Sequence, residues 1–353
     1  MTPFIAKFKE KILKKSYPIA DLIVAIENIR NRSAILNLCA QPTGYSWLGV
    51  RNAGYSLFPD CSAEIPQYYS NQVLSDNQLT ILGQKIGDLK FEQLIFNGHN
   101  IYFELIIDAA IKANPKIRIG SIHHGFFAEM IGDSPVSKIS THLLQCLRRQ
   151  KIHKIAFLKK GNSDVFNALT GVKKFEIFNQ NPRSPLNPIP YKKSIGVMTN
   201  DSFRKNTSTQ VIAALCLKDY EVMMVKEAGM KAFDFNNKIV ETGPLAHEDF
   251  IKSLSQNCIN SHVTFSEASG GQAFTESLAM GVPCLTALTS GYLDDSEALQ
   301  KALIVDRFDD AWAIAEKMKE LIEQRDSISS LCVKYSEEMN KKADDLLLLF
   351  LNG

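Results

Sequence analysis

The sequence predicts an α/β protein made of two Rossmann-like βαβ domains facing across a cleft. Three observations carry that expectation. Short apolar runs alternate with longer stretches of helical period along most of the 353 residues, which is the pattern of a parallel sheet with crossover helices. The alternation breaks at residues 181–193, NPRSPLNPIPYKK, and then restarts. Residues 264–284, TFSEASGGQAFTESLAMGVPC, spell a strand end, a small-residue loop, a helix and a second strand. Pro182, Pro185, Pro188 and Pro190 remove amide donors and force extended backbone, so 181–193 reads as the interdomain linker. The expected domains are 1–185, 186–330 and a C-terminal helix, 331–353, packing back on the N-terminal domain.

The elements follow in order. Residues 34–39 read as a strand, and 41–58 as a loop rich in glycine and aromatics. A strand at 93–96 ends in Asn97, Gly98, His99 and Asn100, and a helix spans 101–113. A strand at 117–122 ends in His123, His124 and Gly125. A helix at 136–150, a strand at 154–158 and a short helix at 164–169 complete the first half. The second half opens with a strand at 194–198, a polar loop at 200–206, a helix at 207–217 and a strand at 221–225. A short strand at 239–241 precedes a helix at 247–255. An apolar run at 262–265 closes at Ser266 and Glu267, Gly270 and Gly271 follow, and 272–280 is amphipathic up to Gly281. Strands at 282–287 and 303–305 and helices at 311–324 and 328–351 finish the chain. The run 346–351 is apolar all round and reads as docking on a domain surface, being too short to anchor in a membrane.

Composition narrows the function. Lys+Arg 40 against Asp+Glu 38 leaves a formal charge of +2, so no global field calls for nucleic acid. The seven cysteines are scattered singly and form no CxxC, which argues for reduced thiols in cytoplasm rather than disulfides or zinc. The start, MTPFIAKFKEKILKK, has no signal-peptide apolar region. Within residues 3–15, Phe4, Ile5, Phe8, Ile12 and Leu13 share a helical face while five lysines crowd the rest. Two readings stand: an ordinary surface helix, which is the commoner case, and a peripheral contact with the inner face of a membrane. There is no GxGxxG, no Walker A sequence and no DxD; Asp294 with Asp295 and Asp309 with Asp310 are adjacent pairs.

The chemistry gathers in residues 264–284. Ligands of open α/β sheets bind at the carboxyl ends of strands. Amides of Gly270 and Gly271 ahead of a helix suit a phosphate, and Glu276 inside that helix suits a ribose hydroxyl. The bland readings are a tight turn and a first-turn glutamate complementing the helix dipole. Together the residues point to a sugar nucleotide.

The segments SIGVMTNDSFRKNTSTQVIAALCL, YEVMMV, ETGPLAHEDFIKSL, TFSEASGGQAFTESLAMGVPCLTA and ALIVD lie in an order that resembles the C-terminal domain of GT-B retaining glycosyltransferases of the glycosyl-transferase-group-one class. The resemblance covers residues 194–342 and implies several roles. Lys205 and Arg204 would neutralise the departing diphosphate, with Ser269, Gly270 and Gly271 giving it hydrogen bonds and Glu276 holding the ribose. Glu267 would stand at the anomeric carbon, and His124 would act near the donor sugar or acceptor. Gly44, His99 and His123 are weaker candidates for acceptor or sugar contacts. Neither metal nor other cofactor is implied. Two departures stand out. Eight residues separate Glu267 from Glu276 where the family has seven, and Asn200 falls where the family has an arginine. The extra residue beside the flexible glycine pair leaves Glu267 its role. The implied activity is transfer of a sugar from a nucleotide-diphospho-sugar to a glycan, glycolipid or protein, in bacterial surface polysaccharide synthesis. The alternatives are a non-catalytic nucleotide-sugar-binding module and a sugar-nucleotide epimerase.

Overall fold

Two parallel sheets organise the chain. A computed structural model describes residues 15–42, 47–66, 72–125, 135–182, 190–199, 203–225, 230–243, 245–267, 271–288 and 292–353. These fall into two compact units, one within Met1–Phe157, Gly161–Glu176 and Asn352–Gly353, the other within Leu158–Lys160 and Ile177–Leu351. The second unit thus begins nearer than residue 185 and takes in most of the stretch that the sequence set apart as 331–353. The basic stretch 3–15 lies almost wholly outside the described residues. Among those described, no helix is long and apolar enough to cross a membrane.

In the first unit β1 (Lys15–Ser16) precedes α1 (Ile19–Arg30), β2 (Ile35–Ala40), α2 (Leu48–Leu57), β3 (Ser62–Ile65), β4 (Gln72–Val73), α3 (Asp76–Asp88), β5 (Gln93–Asn97) and α4 (Phe103–Ala113). Then come β6 (Arg118–His123), α5 (Pro135–Arg148), β7 (Lys154–Phe157), α6 (Asn162–Thr170) and β8 (Lys173–Glu176). The main sheet is parallel with order β3-β2-β5-β6-β7-β8, while β1 and β4 pair separately. Its central strand β5 is buried along its whole length, polar ends included, as expected for a parallel sheet covered on both faces. The expected loop at 41–58 is in large part α2. Gly54 lowers helix propensity, yet it is what lets α2 touch the sheet: a Cβ there would lie 2.4 Å from Cys39 Sγ and from Asn97 Nδ2. α3 starts at a reciprocal capping box between Ser75 and Gln78.

The second unit holds β9 (Ser194–Val197), a 3-10 turn at Phe203–Lys205, α7 (Thr207–Leu215), β10 (Glu221–Met224), β11 (Ile239–Glu241), α8 (His247–Ser255), β12 (Ile259–His262), α9 (Gln272–Ala279) and β13 (Cys284–Thr286). α10 (Glu297–Leu303), α11 (Ala311–Glu323) and α12 (Arg325–Asn352) follow. The sheet is parallel with order β11-β10-β9-β12-β13. In place of a strand at 303–305, α10 runs to Leu303 and Ile304 alone bridges Thr286.

One strand is displaced from its expected place. Of the run at 262–265 only His262 is strand, the end of β12 at Ile259–His262, and 263–265 is loop. The middle residues of β12 are polar and so hide from a search for apolar runs. Asn260 is satisfied by Leu254 O at 3.1 Å and Ser277 Oγ at 2.8 Å, and Ser261 by Gln210 Oε1 at 2.8 Å. The apolar tail at 346–351 also departs from expectation: Phe350 is buried, but Leu348 and Leu349 are exposed, so one face of α12 docks there and the other does not.

Candidate functional site

Strand order selects the place to look. In the second unit the strands run 3-2-1-4-5 in chain order, and the direction of winding reverses between β9 and β12. Such a switch point opens a crevice at the carboxyl ends of the two strands. The chain leaving β9 forms the 3-10 turn at Phe203–Lys205, and the chain leaving β12 runs through Glu267. The two loops are tied by the Phe265 amide, which donates to Arg204 O at 2.9 Å.

Glu267 Oε2 is the centre of the cluster there. It accepts a short charged bond from Lys205 Nζ. It also accepts from His262 Nε2 at 3.1 Å, and Arg204 Nη1 lies 3.6 Å away. Burial opposes the charge on Glu267, but Lys205, His262 and Arg204 outweigh it and hold the carboxyl well below its usual range. Burial, then Lys205, push the pKa of His262 down, so its ring is neutral. An ionised Glu267 takes the Nε2 proton of that ring as its hydrogen bond, which leaves Nδ1 as a lone pair; Nδ1 is buried with no hydrogen-bond partner. Among the described residues, two cations, Lys205 and Arg204, face this one carboxylate at the switch point.

α9 opens beside this cluster. Gly271, its N-cap, has φ 79°, and a Cβ on it would sit 2.2 Å from His262 Nε2. Only glycine allows the helix start to approach the histidine so closely. Glu276 is 4 % exposed and its Oε1 meets His247 Nε2 at 2.7 Å. Burial raises the Glu276 pKa, and the His247 bond partly offsets this. Of the residues expected on the donor, Arg204, Lys205, Gly271 and Glu276 lie on the loops and helix around the switch point. Ser269 and Gly270 lie outside the described residues.

The first unit winds 2-1-3-4-5-6, so its reversal falls between β2 and β5. Asn97 ends β5; its Nδ2 donates to Val50 O at 2.6 Å, which turns Oδ1 toward His124 Nε2 at 2.9 Å. His124 therefore carries its proton on Nε2 and keeps Nδ1 as the acceptor. Burial, with His123 beside it, lowers its pKa to about 3, so the half-buried ring is neutral at pH 7. His123 packs against the rings of Phe157 and Phe166, its pKa lowered by burial to about 4. His99 is wholly buried, with Nε2 2.9 Å from His142 Nδ1. The expected sugar contacts at His99 and His123 are thus buried side chains in this structure, one against His142 and the other against Phe157 and Phe166. Gly44 lies outside the described residues.

Sequence reading missed His262, His247 and Asn97. His262 and Asn97 each end a strand, the same signal that picked out His124. His247 opens α8 and carries no local signal, since only tertiary packing brings it to Glu276.

No family model matches the chain, and no curated protein matches it. Solved structures do. Anabaena HepE, in a complex with UDP and glucose, is 13% identical with a TM-score of 0.63, over 95% of each chain. A sucrose-phosphate synthase from Thermosynechococcus elongatus is 13% identical with a TM-score of 0.63, over 91% of this chain and 98% of its own. A UDP-forming trehalose-phosphate synthase from Burkholderia xenovorans is 12% identical with a TM-score of 0.62, over 91% and 99%. At such identity the likeness is one of fold: the chain has the two-domain GT-B fold.

Proposed function

We propose that the chain is a glycosyltransferase that takes a sugar from a nucleotide-diphospho-sugar held by its second unit. One observation carries the reading. The cluster of Lys205 and Arg204 around Glu267 lies at the sheet's switch point, beside a helix start that only glycine permits and about one helical turn from the buried carboxylate of Glu276. The fold likeness to proteins solved with UDP supports it.

The chemistry follows from the charges. As the bond from the anomeric carbon to the diphosphate breaks, negative charge grows on the phosphate oxygens. Lys205, Arg204 and the amides at the start of α9 are placed to stabilise it without a metal. Glu276 accepts the ribose hydroxyls. In a retaining reaction the acceptor hydroxyl attacks from the face the phosphate leaves, and its proton passes to a phosphate oxygen. Glu267 stabilises positive charge at the anomeric carbon once the diphosphate draws Lys205 toward itself. The first unit, with His124 at its sheet edge, receives a glycan, glycolipid or protein acceptor, and bacterial surface polysaccharide synthesis is the setting such acceptors suggest. Residues 3–15 are the candidate contact with a membrane.

Calorimetric titration with UDP, GDP and ADP and their glucose or mannose conjugates, paired with a donor-hydrolysis assay, tests the reading. One nucleotide should bind in the micromolar range and its sugar conjugate should be turned over. No binding by any nucleoside diphosphate would end the proposal. A second reading, a non-catalytic nucleotide-sugar module, draws on the engagement of Glu267 by Lys205 and predicts binding without turnover. An epimerase would release a converted nucleotide sugar with no acceptor present.

A further inference from the structure

The first unit holds a second concentration of chemistry, independent of the donor site. His142 and Cys146 are spaced i, i+4 on α5, so they share one face of the helix. Cys146 Sγ lies 3.9 Å from His142 Nδ1. His99, between β5 and α4, brings its Nε2 to within 2.9 Å of the same nitrogen. The three ligand atoms all lie within 4.8 Å of one another, and His99 and Cys146 are fully buried.

Hydrogen bonding alone leaves this cluster incomplete. Glu104 accepts from Lys151 Nζ at 2.6 Å and Arg149 Nη1 at 2.6 Å, two cations that hold it as a carboxylate. An ionised Glu104 takes the Nε2 proton of His142 at 3.2 Å, so His142 Nδ1 is a lone pair. Two donors, His99 Nε2–H and the Cys146 thiol, then converge on that single lone pair, and His99 Nδ1 is buried with no hydrogen-bond partner. A metal-ligating histidine ordinarily donates its other nitrogen to a carboxylate, which is what His142 does toward Glu104.

We propose that His99, His142 and Cys146 form a binding site for a zinc-class divalent ion, with Glu104 positioning His142. Zinc bonds of about 2.0–2.1 Å to nitrogen and about 2.3 Å to sulfur set ligand separations of roughly 3.3–3.6 Å. The 2.9 Å contact opens and the 3.9 Å contact closes by a few tenths of an ångström to meet them, and Cys146 Sγ and His99 Nε2, within 4.8 Å of each other, draw together to the same range. Binding replaces the thiol proton of Cys146 by the ion. The His99 proton moves from Nε2 to the vacant Nδ1, so one proton leaves per ion. A fourth position is left for water. The bound ion fastens the loop after β5 to α5, at the edge where the first unit's winding reverses.

The purified full chain, stripped with chelator and then dialysed free of it, supplies the test. Cobalt(II) should bind one per chain and give a thiolate-to-metal band in the near ultraviolet, and zinc should displace it. Zinc titration in buffers of different ionisation enthalpy should release about one proton. Cys146→Ser should abolish the band and weaken zinc more than tenfold, Glu104→Gln should weaken it about 10–100-fold, and Cys216→Ser, at an exposed thiol, should change neither. A sub-stoichiometric ion, a spectrum without the thiolate band, or a folded Cys146→Ser that binds zinc as tightly as the parent would overturn the proposal. The first two outcomes need no variant to fold.

Discussion

The two units carry the same kind of sheet edge and equip it with opposite electrostatics. In the second unit the switch point holds Lys205 and Arg204 against Glu267, charged side chains at the mouth of a parallel sheet. In the first unit the corresponding edge holds His124, a ring that burial keeps neutral, while His123 and His99 are packed into the core. An edge carrying lysine and arginine suits an anion, whereas a neutral, hydrogen-bonding ring suits polyols and other uncharged polar groups. That difference is why the proposed function puts the diphosphate in the second unit.

The most severe test of that contrast is at Lys205. Lys205→Ala should lower transfer by about a hundredfold or more, as expected for removing one preorganised charge stabiliser, and should raise the Kd for nucleoside diphosphate more than tenfold. It should also destabilise the second unit by about 3 kcal/mol, since the buried Glu267 loses its closest counter-ion. The double variant Lys205→Met with Glu267→Gln removes both charges. Its melting temperature should recover while diphosphate binding stays lost. Recovery of binding with stability would mean that the cluster is structural only.

Acid should separate the units next. A buried histidine with a lowered pKa binds protons more tightly unfolded than folded, so its contribution to stability falls as pH drops below the unfolded value of about 6.5. His123 and His124, at about 4 and about 3, and His99, held well below its ordinary value by burial, place three such groups in the first unit. His262 is the corresponding buried ring in the second unit's site. Glu267, held low by its cations, keeps its contribution at and above the ordinary carboxylate pKa and loses it only as pH falls toward its own lower value. Hydrogen exchange followed between pH 6.5 and pH 4.5 should therefore show protection lost first in β5, β6 and α4. Loss beginning in β9 and β12 would reverse the contrast.

The sequence revealed the second unit better than the first, and the reason is physical. α9 and β13 after it announce themselves by helical period, a glycine N-cap and an apolar run, so the expected helix at 272–280 lies within a residue of the one found. Where polar residues are buried, the signal fails. β12 carries Asn260 and Ser261 inside the sheet because side chains satisfy them, and α2 carries Asn52 and Gly54 because the helix lies close on the sheet. Lys205 came from the resemblance to the GT-B class, whereas Glu276 could be singled out from the local order of strand, glycine pair and helix. The Glu276–His247 and His99–His142 contacts join residues 29 and 43 apart, and no period in the chain records them. His123 and His124 show the limit of the strand-end rule. Alternation sends one ring of a doublet toward Phe157 and the other toward Asn97, and sequence alone does not say which.

The gentlest test asks whether the second unit's buried carboxylate serves binding rather than the fold. Glu276 has its pKa raised by burial, so the stability it contributes is fully present below the ordinary carboxylate pKa and is lost as pH rises through the raised value. Glu276→Gln removes that loss, and the variant should melt higher than the parent at neutral pH. It should nonetheless bind the nucleoside diphosphate about tenfold more weakly, since a charged acceptor of ribose hydroxyls gives way to a neutral one. His247→Ala works in the opposite sense on the fold. Without the 2.7 Å bond that favours the ionised carboxyl, the Glu276 pKa rises further and the melting temperature at neutral pH falls, with affinity lowered only a few-fold. Calorimetry and thermal melts on both variants distinguish the cases. A carboxylate that holds a ribose lowers affinity when neutralised while stability improves, whereas a purely structural one would lower stability and leave affinity unchanged.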